Sequence, residues 1–213
     1  MRIRARTLLS LAAVPVLFAA AAAAAPAPRA QIPASDAAAP VRWQIDVSHS
    51  ELTFRIRHLV SRVSGQFNTW SGTIVADPES LAGGSVSVDI QTASIDTNNE
   101  RRDTHLRSAD FFDAPSHPTI TFRSTRVTAN GRDIQVHGNL TMRGVTRPVV
   151  LQGRMLEVAG TAGRRRIGFE AQTQINRMDY GVSWNRGAEG GGVVLGDEVT
   201  ISIAIEAVEQ PAT

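Results

Sequence analysis

The sequence predicts an all-β domain: an antiparallel barrel or sandwich of about eight or nine strands with one short helix. Three observations carry this expectation. From Val41 onward, apolar and polar residues alternate in run after run, which is the period of half-buried strands. Turn-forming pairs such as Asp77-Pro78, Gly83-Gly84, Asn130-Gly131 and Arg143-Gly144 separate the runs, so neighbouring strands are joined by short connections. Strands this numerous, linked this tightly, pair antiparallel, and only the stretch from Asn98 to Pro118 breaks the alternation with helical signals.

In chain order, residues 1–25 place Arg2, Arg4 and Arg6 ahead of an apolar run ending in small residues, the layout of a secretory signal peptide. The run holds Pro15 and dissolves into alanine, so it reads as a cleaved leader rather than a membrane anchor, and it directs the chain to the periplasm. No other stretch approaches the roughly 18 consecutive apolar residues of a spanning helix. Residues 26–40, PAPRAQIPASDAAAP, have too few large apolar groups to fold and read as a disordered Pro/Ala linker.

The folded domain spans 41–210. Trp43, Ile45 and Val47 share one face of the first strand, followed by Leu52, Phe54, Ile56 and His58. Between Gly65 and Ile74 the phase slips, and a bulge near Gly72 is expected to restore it. Alternation then recurs at Val86, Val88 and Ile90, at Ile120 and Phe122, at Ile134, Val136 and Leu140, and at Ile167, Phe169, Ala171 and Ile175. LTMRGVTRPVVL reads as a tight hairpin, and Val199, Ile201, Ile203, Ile205 and Ala207 form the last strand.

The exceptional stretch, NNERRDTHLRSADFFDAPSHP, follows Thr97. Thr97 to Glu100 fits a capping box, so a helix is expected to begin there and run to about Ala109, with Asp103 and Arg107 as a surface pair. Leu106 is its main apolar contact, Phe111 and Phe112 anchor its end, and Asp113-Ala114-Pro115 stops it. On a helix Asp103 and His105 do not face each other, His105 meets Ala109 four residues on, and His117 lies beyond the stop. The titratable groups are therefore not expected to converge, and no metal site is expected. His58 reads as an interior histidine, and GAEGGGVVLG as a loop at the barrel rim rather than a phosphate cradle.

Composition removes several function classes. All 22 basic residues are arginine; without lysine and cysteine there is no P-loop lysine, Schiff base, thiol nucleophile, iron–sulfur ligation or disulfide. The sequence pI of about 10.2 suggests a nucleic-acid binder, but with one tyrosine almost nothing titrates above neutrality, so a formal charge of only +2 carries it. Without the three leader arginines, 19 arginines face 20 acids, a net charge of −1, and nucleic acid is not an expected partner.

The ordered motifs WQIDVSHSELTFRIRHL, VSGQFNTWSGTI, NNERRDTHLRSADFFDAPSHPTITF, VHGNLTMRGVTRPVVL, INRMDYG and GDEVTISIAIEA, from Trp43 to about Val208, resemble the YceI-like family of exported proteins. One departure is His117, where the family more often carries tyrosine. The resemblance implies a lipocalin-like antiparallel barrel of about eight strands with one short helix. It also implies a long apolar ligand inside, a polyisoprenoid or isoprenoid quinone-type lipid, with no cofactor and no catalytic residues. Phe54, Ile56, Val86, Val88, Ile90, Ile120, Phe122, Leu140 and Phe169 are then expected to line the lumen, and Leu106, Phe111 and Phe112 to seat the helix on its opening. Asn99, Arg102 and His105 are the candidate head-group contacts. Transient membrane contact and a homodimer fit a carrier or store of lipid. The alternatives are an exported enzyme acting through Asp103, His105, Asp110 and His117, and a surface module that binds another protein.

Overall fold

The computed structural model describes residues 41–161, 163–187 and 191–211; the expected leader and linker lie outside them. Its strands are β1 (Val41–Ile45), β2 (Glu51–His58), β3 (Ser61–Phe67), β4 (Trp70–Asp77), β5 (Ser80–Gln91) and β6 (Ile95–Asp96). After the helix α1 (Glu100–Arg107) come β7 (Thr119–Asn130), β8 (Asp133–Met142), β9 (Val145–Thr161), β10 (Arg164–Asn176) and β11 (Leu195–Glu209). Hydrogen bonding runs in the order β1-β4-β5-β7-β8-β9-β10-β11, and β11 pairs back onto β1, closing an antiparallel eight-stranded barrel. The other three segments prolong barrel strands. β2 continues β1 along β11, β3 pairs with β2, and β6 pairs with β3.

Local chemistry explains where those strands break. After β1, Asp46 caps a single 3₁₀ turn, its carboxylate accepting from the Ser48 backbone N–H at 3.2 Å, and the chain resumes as β2. A second 3₁₀ turn, Thr92–Ser94, separates β5 from β6. Between β3 and β4 the break falls at Asn68-Thr69, where the Asn68 N–H bonds to the Ser94 carbonyl at 3.0 Å. The phase slip therefore lies here and not at a bulge near Gly72, which sits in regular register opposite Val88. Gly83-Gly84 is not a turn between strands either. It lies inside β5, where the register against β4 shifts and Gly83 adopts φ 81°. The β8–β9 connection is the expected two-residue hairpin, with Met142 opposite Val145 and left-handed φ at Arg143 (50°) and Gly144 (74°).

The helix starts later than the capping box suggested. Asn99 is the cap, its side chain accepting from the Arg102 N–H at 3.0 Å. Glu100 does not reach back; the acid that does is Asp103, whose carboxylate accepts from the Thr97 backbone N–H at 3.0 Å and hydroxyl at 2.5 Å. Arg102 completes the cluster, donating to the Thr97 hydroxyl and carbonyl, each at 2.7 Å. Asp103 is thus buried and makes no surface pair with Arg107, which instead reaches Glu100 at 3.3 Å and the Ala93 carbonyl at 3.0 Å. The helix ends at Arg107, before Ala109, where the Ser108 hydroxyl and N–H both bond to the His105 carbonyl. Removing the Asp103 carboxylate strands the Thr97 N–H away from water. Asp103→Ala is therefore expected to cost about 2 kcal/mol in thermal or denaturant unfolding, and Asp103→Asn, which keeps one acceptor, less.

The inward positions form a continuous apolar cluster from Trp43 and Ile45 on β1 to Ala207 on β11. Trp43 is fully buried, with its indole N–H donating to the Ala76 carbonyl at 3.1 Å.

Candidate functional site

Inside the barrel is a cavity of about 830 Å³, near the upper end of the range for small-molecule sites. Phe54 and Ile56 of β2, Val86, Val88 and Ile90 of β5, Ile120 and Phe122 of β7, Leu140 of β8 and Phe169 of β10 all stand on its wall. The helical segment contributes Asn99, Arg102, His105, Leu106, Phe111 and Phe112. Wall residues not singled out from sequence include Val149 and Leu151 of β9, Ile201, Ile203 and Ile205 of β11, and the rim residues Arg177, Val182, Trp184 and Arg186. Those on β11 were findable by the same alternation; nothing in VSWNR signalled the rim group.

Two glycines keep the aromatic walls flat. An added Cβ at Gly65 would lie 2.5 Å from the Phe54 ring, and one at Gly138 would lie 2.4 Å from the Phe122 ring. Each ring therefore lies across a neighbouring strand's bare backbone instead of projecting into the lumen.

At the mouth, the His105 ring packs edge-on to Phe111 and to Trp184, with centroids 5.0 Å away in each case. Its Nε2 lies 2.7 Å from an Asp110 carboxylate oxygen. This is a convergence that regular helical spacing did not suggest; it arises because the helix stops at Arg107 and the chain turns back. It does not extend to the other two groups. Asp103 is bound to Thr97, and His117 lies beside Gly144 of the β8–β9 turn. His58 is half-buried on the cavity wall. Gly187 bridges Val193 in the expected rim loop, which leads into β11.

Arg177 ties the segment before that loop to the loop's end. The side chain is only 3% exposed; Nε donates to the Gly196 carbonyl at 2.9 Å, and Nη1 to those of Val182 (2.5 Å) and Trp184 (2.9 Å). Burial lowers its pKa, and Asp197 at 3.5 Å opposes that shift. Nearby, the buried Tyr180 hydroxyl has no hydrogen-bond partner among the described residues, and burial pushes its pKa up to about 12. A folded-state pKa above the unfolded value of about 10 means stability is intact below pH 10 and falls as pH rises toward 12. Tyr180 is the chain's single tyrosine, so phenolate absorbance reads it directly. Tyr180→Phe is expected to flatten the alkaline loss of stability and to cost little at neutral pH.

Among the described residues one trio could approach a metal: Asp46, His49 and Glu206, whose ligand atoms lie within 4.8 Å of one another. Arg166 already bridges Asp46 and Glu206. Hydrogen bonds from Ser48, His49 and Arg166 hold the Asp46 carboxyl well below the usual carboxylate range.

Residues 43–207 match the family model described as YceI-like domain. A UPF0312 protein of Pectobacterium carotovorum is 36% identical over 96% of this chain and 98% of its own length. Protein YceI of Escherichia coli O17:K52:H18 is 38% identical over 76% of this chain and 83% of its own. Among solved structures, a Campylobacter jejuni YCEI protein superposes with TM-score 0.64 at 33% identity, covering 73% of this chain and 90% of that one. A polyisoprenoid binding domain from Saccharophagus degradans shares the fold, with TM-score 0.59 at 17% identity over 80% of this chain and 99% of that one. With barrel, helix and sequence in agreement, the chain belongs to the YceI-like domain family.

Proposed function

We propose that this protein binds one long apolar lipid, a polyisoprenoid or isoprenoid quinone-type molecule, along the barrel lumen and carries or stores it in the periplasm without transforming it. The observation that carries this reading is the cavity of about 830 Å³ with walls built from Val, Ile, Leu and Phe of the barrel strands. Each methylene moved there from water gains about 0.8 kcal/mol, and an isoprenoid chain offers many, so affinity survives the cost of ordering it. The polar lining groups Asn99, Arg101, Arg102, His105 and Arg186 cluster in the helical segment and the rim loop, which suits a head group at that mouth. The polyisoprenoid binding domain of Saccharophagus degradans supports the capacity of this fold for such a ligand. A catalytic reading has the His105–Asp110 pair, but Asp103 is committed to the helix cap, and His117 lies at the β8–β9 turn.

Titration with an environment-sensitive apolar dye, followed by displacement with a long-chain polyprenol, tests this. Saturable dye binding reversed by the polyprenol is expected. Absence of saturable binding, or a dye the polyprenol leaves in place, contradicts it.

A further inference from the structure

We propose that the tip of the β2–β3 hairpin, Leu59-Val60, together with Val193, is a membrane-docking element that seats the cavity mouth on a bilayer surface bearing anionic lipids. It deepens the lipid-binding reading and rests on it, since a carrier must exchange its cargo with a membrane.

Val60 is fully exposed, and Leu59 and Val193 are each more than two-fifths exposed, a local concentration of large apolar side chains in water. They are one patch, because the Leu59 N–H donates to the Val194 carbonyl at 2.8 Å and His58 pairs with Leu195. The turn is also chemically anomalous. A two-residue hairpin turn with left-handed backbone calls for Asn or Gly, yet Leu59 takes φ 51° here. Local turn chemistry has been given up where an apolar side chain protrudes.

Charge selects the partner. Arg55, Arg57 and Arg62 are exposed on the two strands behind the tip, and Arg57 stands directly opposite Arg62, a like-charge pairing that costs stability in the free protein. Arg186 is exposed across the mouth. The neighbouring acids of β11 are Asp197, which faces Arg177, and Glu198, which accepts from Gln174. Within the described residues none of the four arginines forms an ion pair. Apolar side chains for the acyl boundary with an arginine collar at head-group depth is the pattern of an interfacial anchor on anionic lipid. His58, Val194, Leu195 and Arg186 all line the cavity, so docking places the opening against the bilayer.

The test is co-sedimentation of the protein purified after export with vesicles of equal parts phosphatidylglycerol and phosphatidylcholine, against phosphatidylcholine alone. Binding to the anionic vesicles is expected, weakened by high salt. Leu59→Gly with Val60→Asn puts glycine at the one position of the turn with left-handed φ, so the fold is retained while the apolar tip is removed. That variant is expected to bind the vesicles at least about tenfold more weakly. Arg57→Gln with Arg62→Gln is expected to lower binding and its salt dependence. Wild type that stays in the supernatant, or a tip variant that sediments like wild type, overturns the proposal. So does a wild-type dimer that the tip variant loses while its vesicle binding is unchanged, which assigns the patch to a second copy. Loss of apolar-dye binding in wild type and variant alike counts against the lumen reading; the vesicle results bear on docking alone.

Discussion

Val88→Trp combined with Ala171→Trp is expected to weaken binding of any long apolar chain by at least about tenfold while leaving the barrel folded. Val88 lies on β5 and Ala171 on β10, four places apart in the closed order of eight strands, so the two side chains project from opposite walls. Both line the cavity, and two indoles there occupy the path that an extended chain needs. Filling an apolar cavity also adds contacts, so the thermal midpoint is expected to stay level or rise. Loss of binding with an unchanged or higher midpoint separates a blocked lumen from a damaged fold. Undiminished binding would place the ligand outside the barrel.

Arg177→Ala is expected to be the most destabilising single substitution near the mouth, at about 3 kcal/mol or more, or roughly 6–12 °C in thermal midpoint. The carbonyls of Gly196, Val182 and Trp184 all lose their shared donor, and Arg177 is itself buried, so water does not readily replace it. Arg177→Lys is not expected to rescue, because an ammonium lacks the planar fork that reaches several carbonyls at once. Amide exchange through the rim loop distinguishes this from general weakening, since protection around Val182 and Gly196 falls first. A variant as stable as wild type would show that other contacts hold the loop.

The barrel was legible because half of each strand faces an apolar interior, and burial of one face writes itself as strict alternation. Alternation put Val86, Val88, Ile90, Ile120 and Phe122 on shared strand faces, and in the structure all five stand on the cavity wall. Two strand breaks, β1–β2 and β5–β6, were hidden because they interrupt alternation without a glycine or proline, and the third, at Asn68-Thr69, showed only as a phase slip. Leu59-Val60 was hidden as a turn for a related reason: both residues are apolar and exposed, and Leu59 takes left-handed φ against local turn preference. Gly72 and Gly83-Gly84 misled in the other direction. Gly72 faces inward, where an added Cβ would meet Ile45 Cδ1 at 2.7 Å, so it marks close packing and not a bulge. At the mouth, helical spacing placed His105 correctly on the helix but could not foresee Asp110 beneath it, because that contact forms after the helix has stopped. Arg177 falls within the INRMDYG motif, but no pattern there signals its burial: an arginine just after a strand normally points to solvent, and three inward carbonyls make its burial tolerable.

The most direct measurement is organic extraction of the purified full-length protein followed by mass spectrometry, with Val88→Trp/Ala171→Trp carried in parallel. The lumen reading predicts a long-chain isoprenoid lipid near one molecule per chain from wild type and its loss from the tryptophan variant. No lipid from the wild-type protein, or equal recovery from both, would contradict it.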